Sequence, residues 1–312
     1  MARVCVTRAL PGAALSRLAA AHELAVWPGA QPPSPAELRA HATGATALIT
    51  LVADRVDEDL LSALPDLRIV ANYAVGYDNI DLAAAARHGV SVTHTPDVLT
   101  DATADLTWAL LLAAARRLIP AADHARERWP AWQPDGFLGV SVTGATLGVI
   151  GAGRIGSAVA RRAAGFDMTV LSCGRDHAGL GELLARSDFV SLHCPLTPAT
   201  RHLINAGTLA QMPSRAILIN TARGGIVDQR ALAAALAGGQ IAGAALDVCD
   251  PEPLPAEDPL WQAPNLLITP HIGSATVTAR TQMAEIAVTN VLAALAGEPV
   301  PNPVPHPNAV SR

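Results

Sequence analysis

The sequence contains no lysine, and all 22 basic residues of its 312 are arginine. This absence excludes a Schiff-base lysine, the lysine of a phosphate-binding Walker A loop and a lysine general base. The 27 acidic residues outnumber the arginines, which are scattered along the chain, and the net charge is −5. A nucleic-acid partner is therefore not expected.

Cysteine is scarce as well, with four residues at positions 5, 173, 194 and 249. None forms a Cys-x-x-Cys pair, so buried free thiols are a better interpretation than disulfides or a metal site. The longest apolar helical run, 106–115, is shorter than the roughly 20 residues that a membrane span needs. No signal peptide precedes the first strand-like segment, so we expect a cytoplasmic protein without a membrane partner.

Strand-like and helix-like segments alternate through the whole chain. Short apolar runs predict strands at 3–7, 23–27, 45–50, 67–71, 90–93, 147–150, 168–172, 188–193, 216–220, 243–247 and 266–269. Asp54, Asp57 and Asp81 are candidate helix starts. The alternation predicts an α/β fold with parallel, doubly wound sheets, the second of six strands.

One segment departs from this alternation. A long helix is predicted from Ala102 to Leu118, with Pro120 marking its end or a kink. The stretch 126–139 then holds Trp129 and Trp132 and follows no regular period. Two interpretations stay open: a surface that packs on a partner subunit, or a loop that covers its own domain.

A glycine-rich turn follows the strand at 147–150. Gly151, Gly153 and Gly156 form a G-x-G-x-x-G motif, and helical composition follows at 157–164. Strand, glycine turn and helix in this order are typical of a dinucleotide site, in which backbone N–H groups approach the pyrophosphate. The alternative is a structural turn.

Three polar residues follow later strands of the second sheet, namely Arg223, Glu252 and His271. An arginine binds a carboxylate and polarises a carbonyl, and a histidine beside a carboxylate supplies a proton near neutral pH. Taken singly they could be a surface charge, a loop carboxylate and a helix-start residue. Together they indicate reduction of a 2-keto acid, with the hydride coming from a nicotinamide.

Motifs at 148–156, 220–225, 245–248 with 252–253, and 269–273 resemble the D-2-hydroxyacid dehydrogenase family. This resemblance covers nearly the whole chain and implies that Arg223, Glu252 and His271 are catalytic. Formate dehydrogenases of the same superfamily have Gln where Glu252 stands, which argues against that activity. Segments 72–81 and 95–105 resemble the glyoxylate/hydroxypyruvate reductase branch in particular.

The resemblance also implies two Rossmann-like domains. A discontinuous, flavodoxin-like substrate domain would comprise 1–98 plus 284–312, because the proline-rich tail at 300–305 could return to it, and the dinucleotide domain would comprise 99–283. Backbone N–H groups of Val75 and Gly76 would hold the substrate carboxylate; the alternative is a simple turn into the helix at Asp81. Leu51 and Trp132 are candidates for lining the substrate pocket, where Arg223 and His271 would also contact substrate.

The cofactor contacts that the resemblance implies surround the glycine turn and the following strand ends. They are Thr103, Gly151, Gly153, Arg154, Ile155, Gly156, Gly174, Arg175, Cys194, Pro195, Thr200, Thr221 and Asp247. For Asp247, a buried turn-capping carboxylate is the alternative.

Gly174 occupies the position where an acidic residue grips the ribose of NAD, and Arg175 follows it. Glycine leaves room for a 2′-phosphate and arginine can pair with it, which predicts NADP as the preferred cofactor, with NAD as a second one. Asp176 would favour NAD if the register shifted slightly.

The sequence therefore predicts reduction of glyoxylate or hydroxypyruvate to the D-2-hydroxy acid by a homodimeric oxidoreductase. Two alternatives remain open, a dehydrogenase for another 2-hydroxy acid and a nucleotide-sensing binding protein like the family's corepressors.

Overall fold

The computed structural model describes residues 1–304, and they divide into two compact units. Unit 1 contains Met1–Leu99 and the segment that begins at Ser274, and unit 2 contains Thr100–Gly273. The predicted break at 284 would cut through a continuous helix, Val277–Ala296, which packs against other elements of unit 1. Of the predicted tail, only the part up to residue 304 lies within the described residues.

Unit 1 is built on a five-stranded parallel sheet with helices between its strands. Its elements are β1 (Arg3–Val6), α1 (Ala14–Ala21), β2 (Glu23–Val26), α2 (Pro35–His41), β3 (Ala47–Thr50), α3 (Glu58–Ser62), β4 (Ile69–Asn72), α4 (Leu82–Arg87) and β5 (Ser91–Thr93). The strand order β2-β1-β3-β4-β5 is the flavodoxin-like order, so the predicted class of this unit is confirmed.

The C-terminal segment of unit 1 packs against the helices and strands of the first sheet. The long helix Val277–Ala296 packs on α1 and β4, and the hydroxyl of Tyr73 donates a hydrogen bond to the carbonyl of Arg280 at 2.7 Å. Beyond that helix, Pro303 forms an antiparallel bridge with Thr93 at the edge of the sheet. The chain therefore returns to the first sheet, as the tail composition predicted.

Unit 2 contains the second parallel sheet, of six strands. Its elements are α5 (Thr100–Ala115), α6 (Leu118–Arg126), β6 (Thr146–Ile150), α7 (Arg154–Arg162), β7 (Thr169–Cys173), α8 (Leu180–Arg186), β8 (Phe189–Leu192), α9 (Ala206–Leu209), β9 (Ile217–Asn220), α10 (Gln229–Ala237), β10 (Gly243–Leu246) and β11 (Leu266–Ile268). Val277–Ala296 is α11. The order β7-β6-β8-β9-β10-β11 reverses between β6 and β8, which is where open α/β sheets bind ligands.

The predicted long helix is two helices. The first ends at Ala115, and Arg117 adopts a left-handed backbone conformation (φ 51°) before α6 begins at Leu118. Pro120 therefore lies in the first turn of α6, where its missing N–H has no helical partner to lose. The prediction that Pro120 ends or kinks the helix is wrong for this reason.

Two of the three predicted helix starts are confirmed. Asp57 caps α3 by accepting the N–H of Leu60, and Asp81 caps α4 by accepting that of Ala84. Asp54 caps no helix. Its buried carboxylate accepts hydrogen bonds from the Thr7 hydroxyl and from the N–H of Leu51, so it fastens the loop after β3 to the end of β1.

No helix within residues 1–304 combines the length and apolar character needed to cross a bilayer.

Candidate active site

The glycine turn between β6 and α7 requires glycine for two different reasons. Gly151 has φ 95°, and a Cβ there would lie 2.6 Å from the backbone nitrogen of Cys194. A Cβ on Gly156 would lie 2.1 Å from the carbonyl oxygen of Gly151, so only glycine lets α7 start this close to the strand. The turn thus packs against the loop that follows β8.

Gly153 is different, because its position faces open space. A Cβ there would meet no atom within 4 Å, and no side chain caps α7 at this residue. Arg154 is exposed and Ile155 is half-buried at the start of the helix. An open, uncapped helix N-terminus offers backbone N–H donors to an anion, so these residues fit the pyrophosphate of a dinucleotide.

The end of β7 presents Gly174, Arg175 and Asp176, all exposed. A Cβ on Gly174 would lie 3.7 Å from Oδ1 of Asp176, which accepts a hydrogen bond from the N–H of Ala178 at 3.2 Å. An arginine and an aspartate therefore both stand at this strand end, and Asp176 is turned toward its own loop.

The loop after β8 is held together by Thr200. Its hydroxyl donates to the carbonyl of Pro195 at 2.6 Å and accepts the N–H of Thr197 at 2.8 Å. Burial raises the pKa of Cys194 in this loop to about 11, so its thiol stays protonated at neutral pH. These hydrogen bonds fix the loop that packs against the glycine turn.

His193 begins this loop and was not predicted from the sequence. Its Nε2 lies 2.8 Å from the Ser191 hydroxyl, and burial lowers its pKa to about 4, so the ring is neutral near pH 7. The only sequence signal for it is its position just past β8, at the point where the strand order reverses.

Thr103 and Thr221 belong to a second polar cluster of unit 2. The hydroxyls of Thr107 and Thr221 are 2.9 Å apart, and Thr107 donates to the carbonyl of Thr103 at 2.8 Å. All three residues are buried or nearly so. A Cβ on Gly273 would lie 3.4 Å from Thr103, so α5 packs directly on the end of the segment that carries His271.

Arg223 follows β9 in a loop that is fixed on both sides. The Asn220 side chain donates to the carbonyl of Arg223 at 2.9 Å and accepts the N–H of Ala222 at 3.0 Å. A Cβ on the next residue, Gly224, would lie 2.0 Å from the carbonyl carbon of Cys249. This close approach brings the arginine loop against the segment that carries Glu252.

The buried carboxylate of Asp247 holds the segment after β11 through three hydrogen bonds. Its Oδ1 accepts the Thr269 hydroxyl at 2.6 Å and the N–H of Ile272 at 2.8 Å, while Oδ2 accepts the N–H of Gly273 at 2.8 Å. Burial raises the pKa of this carboxyl although these hydrogen bonds oppose the effect. The geometry is that of the turn-capping carboxylate considered as the alternative.

His271 and Glu252 form a hydrogen-bonded pair. Nδ1 of His271 lies 2.7 Å from Oε2 of Glu252, and Oε1 of the glutamate accepts the N–H of Cys249 at 3.0 Å. Because a carboxylate oxygen accepts, Nδ1 carries the hydrogen and Nε2 is left for other chemistry. Burial raises the pKa of Cys249 to about 11, with neighbouring carboxylates adding to the effect, so its thiol does not compete as a nucleophile.

Unit 1 carries three of the predicted substrate residues. Leu51 follows β3, and Val75 and Gly76 follow β4; all three are half-buried. The N–H of Leu51 is already bonded to Asp54, so its backbone is not a free donor. No cluster of three or more His, Cys, Asp or Glu side chains suited to a metal ion is found among the described residues.

Residues 108–273 match the family model described as D-isomer specific 2-hydroxyacid dehydrogenase, NAD binding domain. The chain belongs to the D-isomer specific 2-hydroxyacid dehydrogenase family. Its members are oxidoreductases that use a nicotinamide dinucleotide. The match covers all of unit 2 except the first residues of α5.

Individual relatives match over nearly the full length. The chain is 46% identical over 314 residues to a glyoxylate reductase from Korarchaeum cryptofilum, covering 96% of this chain and 95% of that one. It is 47% identical over 317 residues to a glyoxylate reductase from Thermococcus kodakarensis, covering 96% and 95%.

Among solved structures, a Sinorhizobium meliloti NADPH-dependent glyoxylate/hydroxypyruvate reductase in complex with NADP and malonate is similar, with a TM-score of 0.86 and 33% identity. That match covers 100% of this chain and 99% of the other.

We predict that Gly156→Ala destabilises the protein by about 1–3 kcal/mol, because the added methyl group would force α7 away from the Gly151 carbonyl. The measurements are thermal unfolding and the affinity for a nicotinamide dinucleotide, and both the unfolding temperature and the affinity should fall. Gly165→Ala is the matched control, since a Cβ there meets no atom within 4 Å. Equal unfolding temperatures for the two variants would contradict the prediction.

Proposed function

We propose that the protein reduces glyoxylate or hydroxypyruvate to the corresponding D-2-hydroxy acid and prefers NADPH as the hydride donor. The observation that carries this proposal is the 2.7 Å contact between His271 and Glu252. It is supported by the relatives named glyoxylate reductase, which match over about the whole chain. In this scheme unit 1 binds substrate and unit 2 binds the dinucleotide.

His271 is the proton donor. With Nδ1 bonded to Glu252, the imidazole is held in one orientation, and Nε2–H of the charged ring gives its proton to the carbonyl oxygen at C2. When bound, a nicotinamide would supply the hydride, which with the proton from His271 would convert the keto acid to the hydroxy acid.

Arg223 binds and polarises the substrate. Its guanidinium is permanently charged and planar, so it can hold a carboxylate oxygen and draw electron density from the neighbouring carbonyl. In unit 1, the N–H groups of Val75 and Gly76 are the donors that we propose for the substrate carboxylate.

The dinucleotide is held by the residues around the glycine turn and by the following strand ends. We assign this role to Thr103, Gly151, Gly153, Arg154, Ile155, Gly156, Gly174, Arg175, Cys194, Pro195, Thr200, Thr221 and Asp247. For Asp247 the contribution is indirect, because both carboxylate oxygens already accept hydrogen bonds from residues 269–273. The Thr107 hydroxyl links two of these residues, because it donates to the carbonyl of Thr103 and lies 2.9 Å from the Thr221 hydroxyl.

NADPH preference rests on the end of β7. Gly174 has no side chain, and the exposed Arg175 can pair with a 2′-phosphate. Asp176 would repel that phosphate, but its Oδ1 accepts the N–H of Ala178 in its own loop. NAD is the second cofactor under this proposal.

We also propose a homodimer. Apolar side chains of unit 2 stay exposed after α5, with Leu118 at 57%, Trp129 at 58%, Trp132 at 82% and Leu138 at 70% exposure. Side chains this exposed do not cover their own unit, which favours the partner-surface interpretation of segment 126–139. The cytoplasmic location stays a prediction.

Turnover tests the reaction directly. A panel of keto acids with NADPH and NADH should show the fastest absorbance loss with glyoxylate or hydroxypyruvate. No turnover with any keto acid would favour a nucleotide-sensing binding protein, and a faster reaction with another keto acid would favour a different dehydrogenase.

His271→Ala should lower kcat at least about 1000-fold with NADPH binding preserved, because the proton donor is lost. Glu252→Gln should lower kcat less, because a neutral amide oxygen holds Nδ1–H of His271 more weakly than the carboxylate does. The measurement is kcat and the KM for NADPH of each variant. A Glu252→Gln variant with the kcat of the wild type would count against the pair.

Arg175→Ala should raise the KM for NADPH about 10-fold and leave the KM for NADH nearly unchanged, because only NADPH carries the 2′-phosphate. Arg186→Ala in α8 is the charge-matched control, since that arginine pairs with Glu182 on the surface. Equal changes for both cofactors would contradict the assignment.

Trp132→Asp should shift the protein from dimer to monomer in sedimentation velocity, because a charge would be buried in an apolar interface. Val277→Asp is the control; Val277 is 85% exposed and lies in unit 1 at the start of α11. A monomeric wild type would refute the proposed dimer.

A further inference from the structure

Three consecutive carbonyls of the loop after β4 each accept a hydrogen bond from a group outside residues 74–76. The pairs, with the donor first, are Thr95 N to Ala74 O at 2.8 Å, His94 Nδ1 to Val75 O at 2.9 Å and Asn72 Nδ2 to Gly76 O at 2.8 Å. The carbonyl side of this loop is therefore fully engaged.

The N–H side of the same loop is left open. A trans peptide places the C=O of one residue and the N–H of the next on opposite sides, and the cis bonds of the described chain lie only within residues 250–253. Holding the Ala74 and Val75 carbonyls therefore turns the N–H groups of Val75 and Gly76 away from those donors. Neither N–H has a hydrogen-bond partner among residues 1–304, and both residues are half-buried.

The imidazole of His94 is itself held in place. A carbonyl oxygen only accepts, so Nδ1 carries the hydrogen and the tautomer is fixed. The ring meets the ring of Tyr77 edge-on, with centroids 5.8 Å apart and an interplanar angle of 81°. The backbone N–H of His94 donates to the carbonyl of Asn302 at 3.2 Å, beside the bridge that ties the returning segment to β5.

We propose that His94 is a positioning residue for substrate binding. Its Nδ1–H fixes the Val75–Gly76 peptide so that the N–H of Gly76 is presented to the substrate carboxylate. This inference rests on the proposed function, in which Val75 and Gly76 bind that carboxylate. An N–H that is already aimed binds an anion without a reorganisation cost, whereas a peptide released from His94 can rotate.

Three substitutions separate the donor from the rest of the side chain. His94→Leu removes the donor, and His94→Asn keeps it, because Nδ2 of asparagine is as many bonds from Cα as Nδ1 of histidine. His94→Gln moves the donor one bond further out and replaces the leucine variant if that one fails to fold. His88→Leu is the control: it loses a 2.7 Å contact with Glu58, and His88 precedes β5 whereas His94 follows it.

The probe is oxalate, a carboxylate that the enzyme cannot reduce, titrated calorimetrically into the complex with NADPH. His94→Leu should weaken oxalate binding about 10-fold and raise the KM for glyoxylate by about the same factor, as expected for one lost hydrogen bond to an ordered loop. The KM for NADPH should not change, and kcat should fall less than the KM rises. His94→Asn should restore both values, and His88→Leu should match the wild type.

Equal oxalate affinity in wild type and His94→Leu, no restoration by His94→Asn, or no oxalate binding to the wild type would each overturn the inference. The wild-type turnover assay judges the proposed function separately. If the wild type reduces no keto acid but oxalate binding follows the expected pattern, the reaction is wrong and the role of His94 stands. If turnover is normal but the wild type and His94→Leu bind oxalate equally well, the proposed reaction stands and the role of His94 is wrong.

Discussion

Parallel pairing of β6 to β11 brings the carboxyl ends of six strands to one edge of the sheet, and the candidate site of unit 2 depends on that constraint. The glycine turn follows β6, Arg175 follows β7, Arg223 follows β9 and His271 follows β11. Residues that are far apart in sequence therefore lie along the same edge of the sheet. The short loops at this edge then need only to fix the orientation of the side chains that they carry.

Orientation is fixed in large part by buried polar side chains that form hydrogen bonds with the backbone. Asp247 holds the segment 269–273 through both carboxylate oxygens, and His271 in that segment has a left-handed backbone (φ 52°). Such a conformation is uncommon for a non-glycine residue and needs support from its surroundings. Removing a carboxylate from water is costly, and the three hydrogen bonds that Asp247 accepts offset that cost.

Strands and helix starts could be predicted where the local sequence pattern decides them. Apolar runs placed each of the eleven strands within about two residues, and Asp57 and Asp81 were found because capping is a local interaction. Asp54 was assigned wrongly because its partners, Thr7 and Leu51, are set by the sheet and not by the neighbouring sequence. The break before Pro120 was missed because it depends on a left-handed residue that composition does not reveal.

What a loop presents to a ligand depends on whether the N–H groups or the carbonyls of its peptides are bonded to other residues. In unit 2 an acceptor, Asp247, engages N–H groups, and the segment it holds presents a side chain, His271. In unit 1 donors, His94 among them, engage carbonyls and leave N–H groups open, which suits an anion. A lone histidine in sequence carries no such information, because its role is set by the one carbonyl that it reaches. A supporting side chain that accepts hydrogen bonds thus engages the N–H groups of its loop, whereas one that donates engages the carbonyls and leaves the N–H groups open. Glycine in the loop only permits the close approach of a bound group.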